Sequence, residues 1–225
     1  LREKTLNFES IFSTVRLFDD TAHKDFPYYL IPFKTGYVSA YPIITGLFAI
    51  PIYYIPLVMN KIPEITYHEN ILKIVLLGRV AASFYAALSV GVMYLICRRK
   101  SDNDNLAVIF SIFYAFGTCT YSVSSRGLWM HTISQLLFSL ILYLLLVQDS
   151  RLKFSLLGLL LGLSVINRPT SIVFAIMISL YVAFSKRRYI SYYILGVIPT
   201  IVFLGIYNNY FFGSPLNEGY SARNA

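Results

Sequence analysis

Two apolar runs with a single interruption between them constrain this chain more than any other feature. Residues 154–184 read FSLLGLLLGLSVINRPTSIVFAIMISLYVAF, and the interruption is Asn167-Arg168-Pro169-Thr170. Crossing a hydrocarbon core of roughly 30 Å takes about 20 helical residues, and neither run is that long. The break is therefore expected below the membrane surface. Backbone leaves the helical state at that depth only where protein or a wet cavity satisfies its amides and carbonyls. Arg168 adds a charge there, and its default partner is an anion. Pro169 suits the first turn of the following helix, where its missing N–H would have been unpaired anyway. The free N–H groups at that helix start favour phosphate. The competing reading is a tight hairpin whose arginine reaches lipid headgroups.

The rest of the sequence supports a membrane setting for that break. Of 225 residues 56% are hydrophobic and 13% charged, so near-continuous apolar runs alternate with short charged loops. This is the pattern of a polytopic membrane protein. The net charge of +8 arises from 19 Lys and Arg against 11 Asp and Glu. Much of it sits in short loops, where it reports topology and headgroup contact and gives no evidence for nucleic acid. Cys97 and Cys119 lie in or beside apolar runs and form neither a disulfide framework nor a metal cluster. The start at Leu1 and the stop at Ala225 within a polar stretch read as the ends of a fragment.

Along the chain, Leu6, Phe8, Ile11, Phe12, Val15 and Phe18 recur at helical spacing, so residues 1–34 are expected to form a short amphipathic surface helix and a loop. That loop carries Asp19, Asp20, His23 and Asp25, an acidic cluster that is catalytic, cation-binding or a solvated turn. Residues 36–60 are apolar but hold Pro42, Pro51 and Pro56, which predicts a kinked, partly inserted segment walling a cavity. About six transmembrane helices follow within 71–207, at 71–97, 106–123, 128–147, 154–166, 171–184 and 189–207. Arg98-Arg99-Lys100, Arg151 with Lys153, and Lys186-Arg187-Arg188 then share one side, the cytoplasmic one by the positive-inside rule. Residues 1–70 and 208–225 fall outside. The expected fold is all-α: a transmembrane helical bundle with an extracytoplasmic amphipathic first loop.

Four groups converge on the outer side in this topology: the acidic loop, Ser125 to His131, the 167–170 break, and 207–220. Arg126 sits in a short turn, and His131 about one helical turn beyond it could relay a proton or donate to a phosphate oxygen, or be a satisfied interfacial residue. Trp129 reads as an interface anchor. Gly158 and Gly162 form a G-x-x-x-G pair suited to close helix contact. Glu218 could bind a sugar hydroxyl or sit in an ordinary turn. There is no P-loop, dinucleotide fingerprint, zinc spacing or nucleophile elbow. An amphiphilic phosphate, its lipid tail between helices, fits an arginine site open to the outer leaflet.

The segments GYVSAYPIITGLFAIPIYY, SSRGLWMHTISQLLFSLILYLL, LLGLLLGLSVINRPTSIVF and YNNYFFGSPLNEGYS together resemble the polytopic GT-C-type glycosyltransferases, among them bacterial relatives of the protein O-mannosyltransferases and lipid A aminoarabinose transferases. The resemblance implies glycosyl transfer from a polyprenyl-phosphate donor to an unidentified acceptor on the extracytoplasmic face of a bacterial inner membrane. It implies an acidic catalytic residue in the first outer loop, where this chain offers Asp19, Asp20 and Asp25. It matches Arg168 to a phosphate-contacting basic residue before proline, with Arg126, His131 and Tyr207 as further candidates around the lipid donor. Asn167, Glu218 and Tyr220 are the candidate contacts to sugar or acceptor. No metal or other cofactor is required, although an acidic loop beside phosphate could recruit a divalent cation. The alternatives are a transporter or flippase of an anionic lipid or solute, or a partner-binding membrane subunit.

Overall fold

The computed structural model describes residues 30–33, 36–39, 41–59 and 67–217. The expected amphipathic helix and its acidic cluster, including Asp19, Asp20 and Asp25, lie outside these residues, as do Glu218 and Tyr220. The described chain is mostly helical and divides into two compact units, 44–201 and a smaller one drawn from both ends.

One departure from the all-α expectation lies in the smaller unit. Strand β1, Leu30–Phe33, pairs antiparallel with β2, Gly36–Ser39, with Leu30 opposite Ser39 and Phe33 opposite Gly36. Ile31 faces Val38 across the pair, and β-branched partners of this kind favour strand over helix. The described residues within 36–60 thus form a strand followed by a helix.

That helix, α1, spans Ile43–Val58, follows Pro42 and runs through Pro51 and Pro56. Its 16 residues reach about 24 Å, short of a full crossing. Helix α2 spans Tyr67–Ser101. After a turn at Asp102, α3 covers Asp104–Phe116, and the Asn103 side chain accepts from the N–H groups of Asn105 and Leu106 at 2.9 and 3.2 Å. That N-cap accounts for the abrupt start of α3. A π-helical turn, Thr120–Ser124, leads to α4, Met130–Leu146. Helix α5, Arg151–Asn167, is capped by Ser150, and α6, Ile172–Ser185, is followed by α7, Ile190–Phe212.

Among the described residues two helical stretches are long and apolar enough to cross a membrane, Val75–Ser101 and Arg187–Phe212, where the sequence suggested about six. Helices α1, α3, α4 and the stretch Pro169–Ser185 are apolar but shorter. The run at 106–123 is broken because α3 stops at Phe116, 13 residues from its start, and the chain re-forms as the π-helical turn. Only 28% and 17% of the two long apolar windows are buried, unlike the core helix of a soluble protein.

Within the larger unit, α2 packs on α3 and α4 through Ala81, Ala82, Ala86 and Ala107, all buried. Ile141, Phe154, Leu157, Leu161, Ala175, Ile178, Val182 and Tyr193 form the core joining α4 to α7. Helices α5 and α7 come so close that a Cβ on Gly158 would strike the Tyr193 carbonyl, and one on Gly196 the Ser155 carbonyl. A Cβ on Gly162 would meet the Thr200 side chain. The small residues are what permit this approach. Ile109, Phe113, Phe116, Val173, Met177 and Phe184 face outward.

The three basic segments meet at one end of this unit. Arg99 Nε donates to the Leu146 carbonyl at 2.9 Å, occupying an orphan acceptor at the end of α4. Lys153 Nζ donates to the Val147 carbonyl at 2.7 Å and to Asp149 Oδ1 at 2.8 Å, and Lys186 Nζ reaches Asp149 Oδ2 at 2.6 Å. These hydrogen bonds, Lys153's first and then Lys186's, hold the Asp149 carboxyl below the ordinary carboxylate range against a smaller opposing effect of burial. In the smaller unit, Tyr207 packs against Phe211 at 4.8 Å between ring centroids, and Asn208 Nδ2 donates to the Pro215 carbonyl at 3.1 Å.

Candidate functional site

At the far end of α5 the helix stops because of Pro169. A residue preceding proline is pushed out of the α region, and Arg168 accordingly is extended at φ −150° and ψ 107°. Pro169 opens a single 3-10 turn, Pro169–Ser171, closed by the Ser171 N–H on the Arg168 carbonyl at 2.8 Å, and this turn runs into α6. Four residues, 168–171, thus separate two helices that are each too short to span.

Asn167 clamps the break. Its side chain is fully buried: Nδ2 donates to the Met130 carbonyl at 2.9 Å and to Ser134 Oγ at 3.0 Å, while Oδ1 accepts from Thr45 Oγ1 at 2.8 Å. Both amide hydrogens are consumed in tying α5 to α4, and the oxygen ties it to α1. These contacts give Asn167 a scaffolding role at the break. Its neutral amide can satisfy donors and acceptors at once, which a buried site between three helices requires.

Arg168 is half-buried, and its Nη1 lies 3.1 Å from His131 Nδ1 in the first turn of α4. A guanidinium has donors only, so Nδ1 accepts and the ring proton of His131 is on Nε2 in this contact. Among the described residues Arg168 makes no ion pair, and His131 is its partner. Two cavities share Arg168 and Phe138. One, of about 330 Å³, is lined by His131, Gln135, Tyr114, Ser124, Ser139 and Leu142 among others. The other, of about 240 Å³, is lined by Thr170, Ser171, Val173, Phe174 and Met177. A positive charge that has no counter-charge among the described residues, set between two recesses, is suited to hold an anion that has a substituent on either side.

The candidates divide accordingly. Arg168 and His131 are brought together. Arg126 is exposed in the turn before α4 and lines neither cavity. Tyr207 belongs to the smaller unit and lines neither cavity. Among the described residues no three His, Cys, Asp or Glu side chains are grouped to hold a metal ion. Gln135, Tyr114 and Ser124 were not among the sequence candidates. The i, i+4, i+7, i+8, i+11 series His131, Gln135, Phe138, Ser139, Leu142 marks the α4 face on which Gln135 lies, while Tyr114 on α3 and Ser124 in the π-helical turn carry no such signal. No family model, curated protein or solved structure matches the chain.

Proposed function

We propose that this chain is the membrane-embedded part of a glycosyltransferase that takes its sugar from a polyprenyl-phosphate donor on the extracytoplasmic face of a bacterial inner membrane. The observation that carries the reading is Arg168 at a helix break, a guanidinium with no ion pair among the described residues, with His131 as its hydrogen-bond partner and a cavity on each side. The resemblance of the sequence motifs to the GT-C-type enzymes points to the same chemistry.

In this reading α2 to α7 form a polytopic bundle. The gathering of Arg99, Lys153 and Lys186 at one end favours a cytoplasmic position for that end by the positive-inside rule. Helix α5 carries 17 residues, so Arg168 lies about 25 Å away, toward the outer leaflet. The bond from the anomeric carbon to the phosphate oxygen breaks as the acceptor oxygen bonds that carbon. A carboxylate of the first loop, with Asp19, Asp20 and Asp25 as candidates, takes the acceptor proton. Arg168 and the Nε2–H of His131 stabilise the charge appearing on the departing lipid phosphate.

The test is turnover of a polyprenyl-phosphate hexose by the full-length protein in lipid. Arg168→Ala is expected to lower turnover by about 10²- to 10³-fold, the scale of losing one charge-stabilising donor, with insertion and unfolding temperature retained. Unchanged turnover rejects the assignment. The α5–α6 interruption also resembles the broken helices that hold anions in transporters, so movement of intact lipid-linked sugar across vesicles without bond cleavage would favour transport.

A further inference from the structure

Gln135 and Tyr114 of the larger cavity's wall belong to a hydrogen-bond relay whose direction is determined by its last acceptor. Thr118 Oγ1 is 2.6 Å from the Tyr114 carbonyl, which can only accept, so the single hydroxyl proton of Thr118 is spent there. In its 2.9 Å contact with Thr118 Oγ1, Thr120 must therefore be the donor. Thr120 Oγ1 in turn accepts at 2.5 Å from Gln135, so the Gln135 atom on that side is the amide nitrogen. The second amide hydrogen goes to the Tyr114 hydroxyl at 2.8 Å. Both N–H groups of Gln135 are consumed and its orientation is locked.

Two polar functions are left over. Among the described residues Gln135 Oε1 has no hydrogen-bond partner, and the Tyr114 O–H proton, its oxygen already accepting, has no acceptor. Both side chains line the 330 Å³ cavity that Arg168 and His131 also line. An oriented acceptor and an adjacent donor match a pair of hydroxyls, each of which gives and takes a hydrogen bond. The 240 Å³ cavity beyond Arg168 offers Val173, Phe174 and Met177 instead.

We infer that Gln135 is a specificity-determining residue: held by Tyr114 and Thr120, it reads hydroxyls of the sugar on the far side of the phosphate from the lipid tail. This rests on the lipid-phosphate reading of Arg168 and assigns the larger cavity to the glycosyl group and the smaller one to the first part of the tail.

Binding to the full-length protein is measured with polyprenyl phosphate alone and with polyprenyl phosphate carrying glucose, galactose, mannose or a pentose. The wild type is expected to hold at least one sugar-bearing lipid more tightly than the bare lipid phosphate. Gln135→Leu is expected to close that gap by about five- to tenfold, the worth of a lost neutral hydrogen bond, with affinity for the bare lipid phosphate unchanged. Tyr114→Phe keeps the ring and removes only the hydroxyl, and is expected to narrow the gap in the same direction if Gln135→Leu does not fold. A Gln135→Leu or Tyr114→Phe protein that keeps the full gap, or loses affinity equally for both lipids, overturns the inference while leaving the role of Arg168 intact. An Arg168→Ala protein that binds every one of these lipids as the wild type does overturns the phosphate reading itself.

Discussion

Arg168 and His131, 37 residues apart in sequence, meet with Nη1 and Nδ1 at 3.1 Å, and the donor-only guanidinium obliges the imidazole to accept. The contact uses one of five guanidinium hydrogens and aims the arginine without neutralising it. His131→Ala should therefore leave Arg168 charged but poorly oriented. We expect a loss of about three- to tenfold in affinity for polyprenyl phosphate, the scale of one modest hydrogen bond. His131→Asn, whose side-chain oxygen sits near the place of Nδ1, should recover part of it. Equal affinities for the wild type and the alanine variant would remove His131 from the site.

Asn167 contributes stability with no ligand present. Asn167→Leu leaves the Thr45 hydroxyl and the Met130 carbonyl without their buried partner, and we expect a loss of about 2–4 kcal/mol. Asn167→Asp should be no better, because a carboxylate offers no hydrogens to Met130 and Ser134. Thermal unfolding of purified protein checks both, and wild-type stability in either variant would contradict the clamp.

Gly158 on α5 and Gly91 on α2 make a matched pair of tests. Gly158→Ala forces a Cβ into the Tyr193 backbone and should cost about 1–3 kcal/mol, because carbonyls of a packed helix cannot step aside. Gly91→Ala meets nothing within 4 Å and gains up to about 1 kcal/mol of helix propensity. Unfolding temperatures should move in opposite directions. A Gly158→Ala protein as stable as its parent would contradict the close α5–α7 crossing.

Asp149 makes stability depend on acid. Its folded-state pKa lies below the unfolded value, so its contribution is fully present above the unfolded carboxylate range and is lost as pH falls through the folded value. Asp149→Asn should lower the unfolding temperature near neutral pH, where buried Lys153 loses its counter-charge, and should flatten the acid limb of the stability profile. Parallel profiles for variant and parent below pH 5 would remove Asp149 as the source.

The two ends of the larger unit should also differ in accessibility. Arg126 and Gln148 are both exposed, one before α4 and the other after it. In a background where Cys97 and Cys119 are serine, Arg126→Cys should react with a membrane-impermeant maleimide added outside intact cells, and Gln148→Cys only after lysis. Labelling of both from the same side would refute the transmembrane arrangement.

Local chemistry made part of this molecule legible in the sequence alone. The break needs only a proline and the residue before it, so its position at Arg168 follows from neighbouring sterics. The G-x-x-x-G contact at Gly158 and Gly162 is legible for the same kind of reason, since a missing side chain on one helix face invites close approach. The clustering of basic segments follows from their spacing between apolar runs. Tertiary structure decided the rest. That Asn167 is a buried clamp depends on Thr45, Met130 and Ser134 arriving from two other helices. The orientation of Gln135 depends on a proton relay through Thr118 and Thr120, which folds back from the turn after α3. A sequence displays which groups can donate or accept; only the packed chain determines which of those capacities are already spent, and the ones left over define the site.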